Sequence, residues 1–483
     1  MPLQGRELAM PTISEPPNDL VIRLENILTP QYVSTELFEG IKNTLDCMPY
    51  DIEKEQLALA VVMPDSANEI SEILKLANEK KVPMFVRGSG TQLAGSTRPH
   101  VPGIVINTHR LNKLEIFEED GFFECGPGCI CADVQTELEK RGYFLPMAPG
   151  SRIIASMGGL VSNNTSGHLI DACLGKPGDY VMGLEAVLPN GEIIETGTQG
   201  LRRPAGTDLT KFFVGGDGLL GVITRIRMRL IPEFHRAFGF AVYENLSSLA
   251  KGVQRMYYEK RPIPLFTEFM DKRTSKVAYE IKGMAPPEGS VIFFVSIGSS
   301  EKEASERLLE VFRSFEAEDP LLVQSIDDPE TWEKLWSARE LIGSYIQQQM
   351  KSYSISAEVV SSLRGLVECM EDSMNFSKGL PILSELPFFL LGHIGALTMH
   401  PAMALPKEWS NEKRRQAMKE KFEKETELNL KYRTCGGEWG QFSKRKDFFV
   451  RRYGEAAYKM VVALKQALDP NNILNPGVLE GYR

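Results

Sequence analysis

Val86-Arg87-Gly88-Ser89-Gly90-Thr91, continued by Gly95-Ser96, follows a short apolar run from Val82 to Val86 that reads as a buried strand. Two glycines and two hydroxyls in the five residues 87–91 can present backbone N–H groups to an anion, because glycine permits close approach and positive φ. The stretch reads as a diphosphate cradle, with an ordinary surface turn as the alternative on spacing alone. It is not the G-x-G-x-x-G dinucleotide fingerprint, since no third glycine opens a helix at the right place. The rest of the chain has to decide.

At 483 residues the chain is too long for one ordinary core, and two or three domains are expected. The composition, 42% hydrophobic and 25% charged, is that of a globular protein with ample core material. A net charge of −9 argues against non-specific nucleic-acid binding. The seven cysteines form no CxxC pair, so neither a disulfide framework nor a zinc ribbon is suggested. Cys125, Cys129 and Cys131 are close together, yet a four-thiolate cluster needs another partner; reduced, mostly buried thiols are expected. No signal-peptide run and no window near ~18 apolar residues is found, so no transmembrane segment is expected. A cytoplasmic protein is the simplest reading.

Residues 1–50 carry several prolines and read as an N-terminal arm. Ser66 and Glu69 make a capping box for a helix whose apolar face is Ile70, Ile73, Leu74 and Ala77. That gives a β-α-β entry into the cradle. Strands are predicted at 104–107 and 122–125, and a helix at 132–141 stopped by Gly142. Residues 146–167, PMAPGSRIIASMGGLVSNNTSG, mix Gly, Ser and Asn with apolar residues in a way a flexible linker would not. They offer a second set of backbone and amide hydrogen-bonding groups, or else a buried loop that satisfies itself. A strand over 180–188 meets the turn signal Asn190-Gly191 and returns through 193–196. In 223–231, Ile226, Met228 and Leu230 alternate with Arg225, Arg227 and Arg229, which predicts a strand with solvated arginines. After Pro232 the pattern changes. Strand-like runs at 240–243, 265–270, 277–281 and 291–297, with helices near 246–259 and 301–315, suggest an antiparallel sheet with helices on one face. Residues 410–430 read as a highly charged, solvated helix. An amphipathic helix (Met460, Val461, Leu464, Leu468) and DPNNILNPG close the chain.

The stretch from about 57 to 232 resembles the FAD-binding domain of the flavin-linked oxidases that include vanillyl-alcohol oxidase, the PCMH-type domain. The whole chain resembles the branch that holds glycolate oxidase (its D-type subunit) and the D-lactate and D-2-hydroxyglutarate dehydrogenases. The resemblance is carried by RGSGT at 87–91, PGS at 149–151, SMGG at 156–159 and NNTSG at 163–167. DYVMGLEAVLPNGEII at 179–194, GTDL at 206–209, GGDGLLGVIT at 215–224 and DPNNILNPG at 469–477 continue in the family's order. It implies an α+β protein: two α+β subdomains holding FAD (51–234), an antiparallel-sheet cap (235–430) and a C-terminal segment (431–483) returning to the flavin. By position, Arg87, Gly88, Ser89, Gly90 and Thr91 would wrap the diphosphate, joined by Ser156, Gly158 and Gly159. Ser96, Pro149 and Gly150 belong to the same cofactor-binding set. Asn163, Ser166 and Gly167 would sit near the flavin, Ile223 by the adenine end, and Asn475 near the ring. Covalent members attach FAD through His or Cys; the 87–91 loop has neither, so non-covalent FAD is expected.

The 2-hydroxy-acid members carry G-H-x-G-D-G-N-x-H-P and, further on, G-E-H-G. Here the two read GHIGALTMHP at 392–401 and GEWG at 437–440. His393, His400 and Glu438 therefore occupy the family's three metal-ligand positions, which suit zinc, manganese or iron. In those relatives the metal grips the substrate carboxylate and hydroxyl, and the His of GEHG takes the proton while hydride passes to the flavin. Trp439 stands there instead, and an indole nitrogen only donates. Ala396 and Thr398 replace the Asp and Asn of the first motif. Arg339, in LWSARE, resembles an arginine that pairs a substrate carboxylate.

Three readings follow. The first is an FAD- and metal-dependent dehydrogenase of an alcohol or hydroxy acid with a changed substrate or another base, Trp439 lining a larger or aromatic pocket. The second retains D-lactate- or glycolate-like oxidation with a substitute base. The third is a non-catalytic flavin-carrying subunit of a larger redox complex. Electrons would leave to a separate acceptor, such as an electron-transfer flavoprotein, an iron–sulfur protein, a quinone or oxygen. A homo- or hetero-oligomer is open.

Overall fold

Ser66 accepts a hydrogen bond from the Glu69 N–H at 3.3 Å and starts the helix Ala67–Lys80. Its Ile70, Ile73, Leu74 and Ala77 are all buried. The helix connects the strand Ala58–Val62 to the strand Met84–Arg87, both parallel to Gly103–Asn107, which lies between them. Val33–Ser34 adds an antiparallel edge to this four-stranded sheet. The computed structural model describes residues 18–93, 95–165, 167, 173–200, 202, 206–340, 342–436 and 446–479. The chain divides into two units, one of residues 1–166, 176–232 and 437–483, the other of 167–175 and 233–436.

In the first unit the four-stranded sheet is accompanied by a five-stranded antiparallel sheet. Its order is Leu114–Phe117, Phe122–Cys125, Val222–Arg229, Val181–Val187 and Ile193–Gly197. The last two strands are joined through Asn190-Gly191, where Gly191 takes φ +87°. Cys125, Cys129 and Cys131 are free, buried thiols of the core of this sheet. Two features differ from the sequence reading. Residues 1–50 include the helix Asn18–Ile27, and Leu20, Leu24 and Leu28 are buried in the core of the four-stranded sheet. Arg227 is buried rather than solvated, because Glu124 across the strand pair meets it at 2.5 Å. In the closing helix Glu455–Leu468, Val461, Leu464 and Leu468 pack against the core, while Met460 is exposed.

The second unit is built on an eight-stranded antiparallel sheet. Its order is Leu322–Ile326, His235–Tyr243, Ser290–Gly298, Phe266–Met270, Phe388–Gly392, Thr398–Pro406 and Ser352–Ser356, with Val359–Val360 pairing the Thr398–Pro406 strand off this path. Helices cover both faces, not one. All nine residues of Ser290–Gly298 are buried. Adjacent residues of a strand point to opposite faces. Phe294 meets Phe312 and Phe315 of the helix Glu301–Glu316, whereas Phe293 meets Trp332 and Trp336 of the helix Pro329–Glu340.

Residues 277–281, read as a strand, belong to the helix Lys272–Ile281, because Asp271 caps it by accepting from the Thr274 N–H at 2.9 Å. The charged helix Asn411–Lys431 is not simply solvated. Arg414, Ala417, Met418, Lys421, Glu425 and Leu428 form a buried stripe, in which Lys421 pairs with Glu425 at 3.0 Å.

Candidate active site

In the first unit the strand Met84–Arg87 delivers Arg87 at its end, and the 88–91 loop turns back over the guanidinium. A side chain at Gly90, which has φ +69°, would collide with the Arg87 guanidinium, and one at Gly88 would collide with Ser156 Oγ. The Ser89 N–H donates to Ser156 Oγ at 3.4 Å, so the 87–91 and 156–159 stretches are brought together. Gly158 lies against Pro127, to whose carbonyl its N–H donates at 2.9 Å. Arg87 is buried, and its Nη1 has no hydrogen-bond partner among the described residues. Burial pulls the Arg87 pKa down, although Asp46 acts in the opposite sense. A buried guanidinium with an unanswered donor, under a loop whose two glycines leave it close to the backbone, is a fitting seat for an anion such as a diphosphate.

Ser96 and Asn163 are joined through Gln92, whose Nε2 donates to Ser96 Oγ at 2.9 Å and to Asn163 Oδ1 at 3.1 Å. Asn475 ties the C-terminal tail to the cradle strand. Its Oδ1 accepts from the Val86 N–H at 2.9 Å, and its Nδ2 donates to the Gly218 carbonyl at 2.9 Å. Lys465 fixes the same tail, donating to the carbonyls of Leu219 and Leu474 at 3.0 and 2.6 Å and to Asp469 at 2.5 Å. Ile223 is buried in the five-stranded sheet opposite Ala186. Pro149 and Gly150 belong to a separate turn, with the Pro149 carbonyl accepting from the Arg152 N–H at 2.9 Å. Thr91 is half-buried, and Gly167 falls in the second unit. Ser166, Glu438 and Trp439 lie outside the described residues. The sequence reading missed His109, whose Nε2 lies 3.3 Å from Ser89 Oγ. Burial, with Arg87 adding to it, lowers the His109 pKa.

In the second unit His393 follows the strand Phe388–Gly392 and His400 lies on the strand Thr398–Pro406. The two rings stand edge to face with centroids 4.9 Å apart. His400 Nδ1 is 3.0 Å from the Ala357 carbonyl, and His393 Nδ1 contacts Oε1 of Glu268. Both acceptors hold a hydrogen on Nδ1, so in a neutral ring at either position the lone pair lies on Nε2. Two neutral imidazoles in that state fit a divalent metal. Among the described residues, no three His, Cys, Asp or Glu side chains are grouped to hold one. Arg339, buried, donates from Nε to Oε2 of Glu268 at 3.1 Å, and its Nη2 lies 2.8 Å from the same oxygen. The Nε edge of its guanidinium is therefore already engaged. Glu268, fully buried, is the second residue the sequence reading missed. A signal was present. In the strand Phe266–Met270 it shares a face with Phe266 and Met270, an apolar setting for a carboxylate.

The chain is a flavin-linked oxidoreductase by its family matches and relatives. In overall fold the chain matches p-cresol methylhydroxylase with a TM-score of 0.77 and 17% identity, covering 96% of each chain. The family described as "FAD binding domain" matches residues 58–197, and "FAD linked oxidases, C-terminal domain" matches 232–479. The glycolate oxidase subunit GlcD of Bacillus subtilis is 32% identical over 425 residues, 86% of this chain and 88% of that one. A D-lactate dehydrogenase of Archaeoglobus fulgidus is 28% identical over 441 residues, covering 86% and 90%. The chain belongs to the FAD-linked oxidase family. No helix among the described residues is long and apolar enough to cross a membrane.

Proposed function

We propose that the protein oxidises a small 2-hydroxy acid, or a related alcohol, as a metal-assisted dehydrogenase, passing the electrons to a separate acceptor. The observation that carries this reading is the His393–His400 pair, each ring anchored through Nδ1, with Arg339 held on the same carboxylate as His393. The substrate class is also supported by the relatives, named for glycolate and D-lactate. Arg87, Gly88, Ser89, Gly90, Ser156 and Gly158 would hold the FAD diphosphate, with Asn475 bracing the strand beneath them. FAD supplies the hydride acceptor when bound. We take it as non-covalent, since the 87–91 loop offers a serine and a threonine rather than His or Cys. His393, His400 and Glu438 would hold a divalent metal, which supplies Lewis acidity toward the substrate's hydroxyl and carboxylate.

Arg339 supplies positive charge that favours an acidic substrate, with Glu268 fixing its orientation. Trp439 has no basic nitrogen, so the hydroxyl proton goes elsewhere than in relatives with His at that position. A cytoplasmic setting fits seven cysteines that are all free.

The test is anaerobic titration of the purified protein with a panel of hydroxy acids and aromatic alcohols, following bleaching of the flavin band, with metal analysis alongside. Bleaching by one class names the substrate, and bleaching by none removes the dehydrogenase reading. Trp439→His should create or raise turnover of D-lactate or glycolate. No gain would mean that more than the base has changed.

A further inference from the structure

Among the described residues, Glu268 is the acid that reaches two of the functional side chains of the second unit. It is fully buried on the strand Phe266–Met270 and comes from far away in sequence, 71 residues from Arg339 and 125 from His393. Its two oxygens divide the work. Oε1 faces His393 Nδ1, and Oε2 receives both Nε and Nη2 of Arg339. Cross-strand register places Glu268 opposite Phe293, which faces the helix Pro329–Glu340 that carries Arg339. The carboxylate is therefore held between a strand end and a helix by the sheet itself.

We infer that Glu268 is a positioning residue: its carboxylate holds His393 with hydrogen on Nδ1, leaving Nε2 as the metal-binding atom, and orients Arg339 at the same time. An imidazole that donates its second N–H to a carboxylate is a better metal ligand, because ring orientation and tautomer are fixed and its basicity rises. The shared carboxylate also makes a change at one of the two side chains felt by the other.

This inference rests on the metal reading above, and the experiment separates the two. Cobalt(II) uptake by the full chain is titrated against a chromophoric chelator for the native protein and for Glu268→Gln. The native protein should bind one cobalt in competition with the chelator, and Glu268→Gln should bind it ~10–100-fold more weakly. If the native protein takes up no cobalt, the metal reading itself fails and this inference falls with it. If both bind equally tightly, the metal reading stands and the positioning role is overturned. Should Glu268→Gln fail to fold, the zinc-loaded native protein with 15N-labelled histidine answers instead. His393 should keep its proton on Nδ1 with zinc on Nε2; zinc on Nδ1 overturns the proposal.

Discussion

The two units build their sites from opposite materials. In the first, contiguous runs of glycine and small polar residues (87–91, 156–159, 215–218) bring backbone close together, and one buried arginine supplies the charge. In the second, Glu268, Arg339, His393 and His400 are single side chains spread along the sequence and gathered by one sheet and one helix. A backbone site tolerates few changes of shape, because any added Cβ has to go somewhere. A side-chain site tolerates few changes of charge, because each buried ion answers another.

The largest effect should therefore come from breaking the charge balance of the second unit. Glu268→Ala leaves Arg339 and the His393 Nδ1 proton without their acceptor in a buried setting. Removing one partner of a buried pair costs roughly 3–5 kcal/mol. Three of the four tryptophans, Trp332, Trp336 and Trp409, lie in the second unit, so their fluorescence reports its unfolding in urea. A loss under about 1 kcal/mol would mean that Glu268 behaves like an exposed ion-pair partner.

A lesion in the first unit should look different. Asn475→Ala removes the acceptor for the Val86 N–H and the donor to the Gly218 carbonyl, both within a buried junction. Orphaning such groups costs on the order of 1–3 kcal/mol. Because the lost contacts hold the cradle strand, FAD affinity should fall by roughly tenfold or more, while the tryptophan transition moves little. Equilibrium dialysis of the flavin measures the first and urea unfolding the second. Unchanged affinity would show that the tail braces the fold without bracing the cradle.

That contrast also explains what the sequence revealed. The backbone shape of these stretches was legible because its determinants are local: RGSGT, SMGG and LNPG each declare it within a few residues. The Ser66 cap and the Asn190-Gly191 turn were legible for the same reason. Where tertiary contacts decide, local pattern misled. Val277–Ile281 has a strand-like composition, yet the Asp271 cap and the buried Ala278 and Tyr279 make it helical. Arg227 reads as solvated until Glu124 arrives from a strand 103 residues earlier. Lys421 and Glu425 read as surface charges until they are seen to pair inside at 3.0 Å. His393 and His400 were found through a motif, but nothing near them in sequence points to Glu268. Only the parity of FTEFM, with the acid on the side of Phe266 and Met270, hinted that it was buried.

A third effect, comparable in size to the second, concerns pH and separates the units once more. Burial lowers His100 from 6.5 to about 4, so in the folded protein the ring is neutral. The unfolded chain takes up a proton near pH 6.5, whereas the folded one resists until about pH 4. Stability from this group is therefore full above pH 6.5 and declines as the pH falls toward 4. At pH 5 the loss should be about 2 kcal/mol, at roughly 1.36 kcal/mol per pH unit. His100 packs against Gly477 in the tail that Asn475 anchors, where any side chain on Gly477 would strike the ring. Acid should therefore loosen the cradle unit first, with flavin released at a higher pH than the tryptophan transition. In His100→Asn the stability difference between pH 8 and pH 5 should shrink by about 2 kcal/mol, with the more exposed His109 titrating alike in both proteins. Equal pH dependence in the native protein and the variant would refute the assignment, and a tryptophan transition preceding flavin release would reverse the order of the two units.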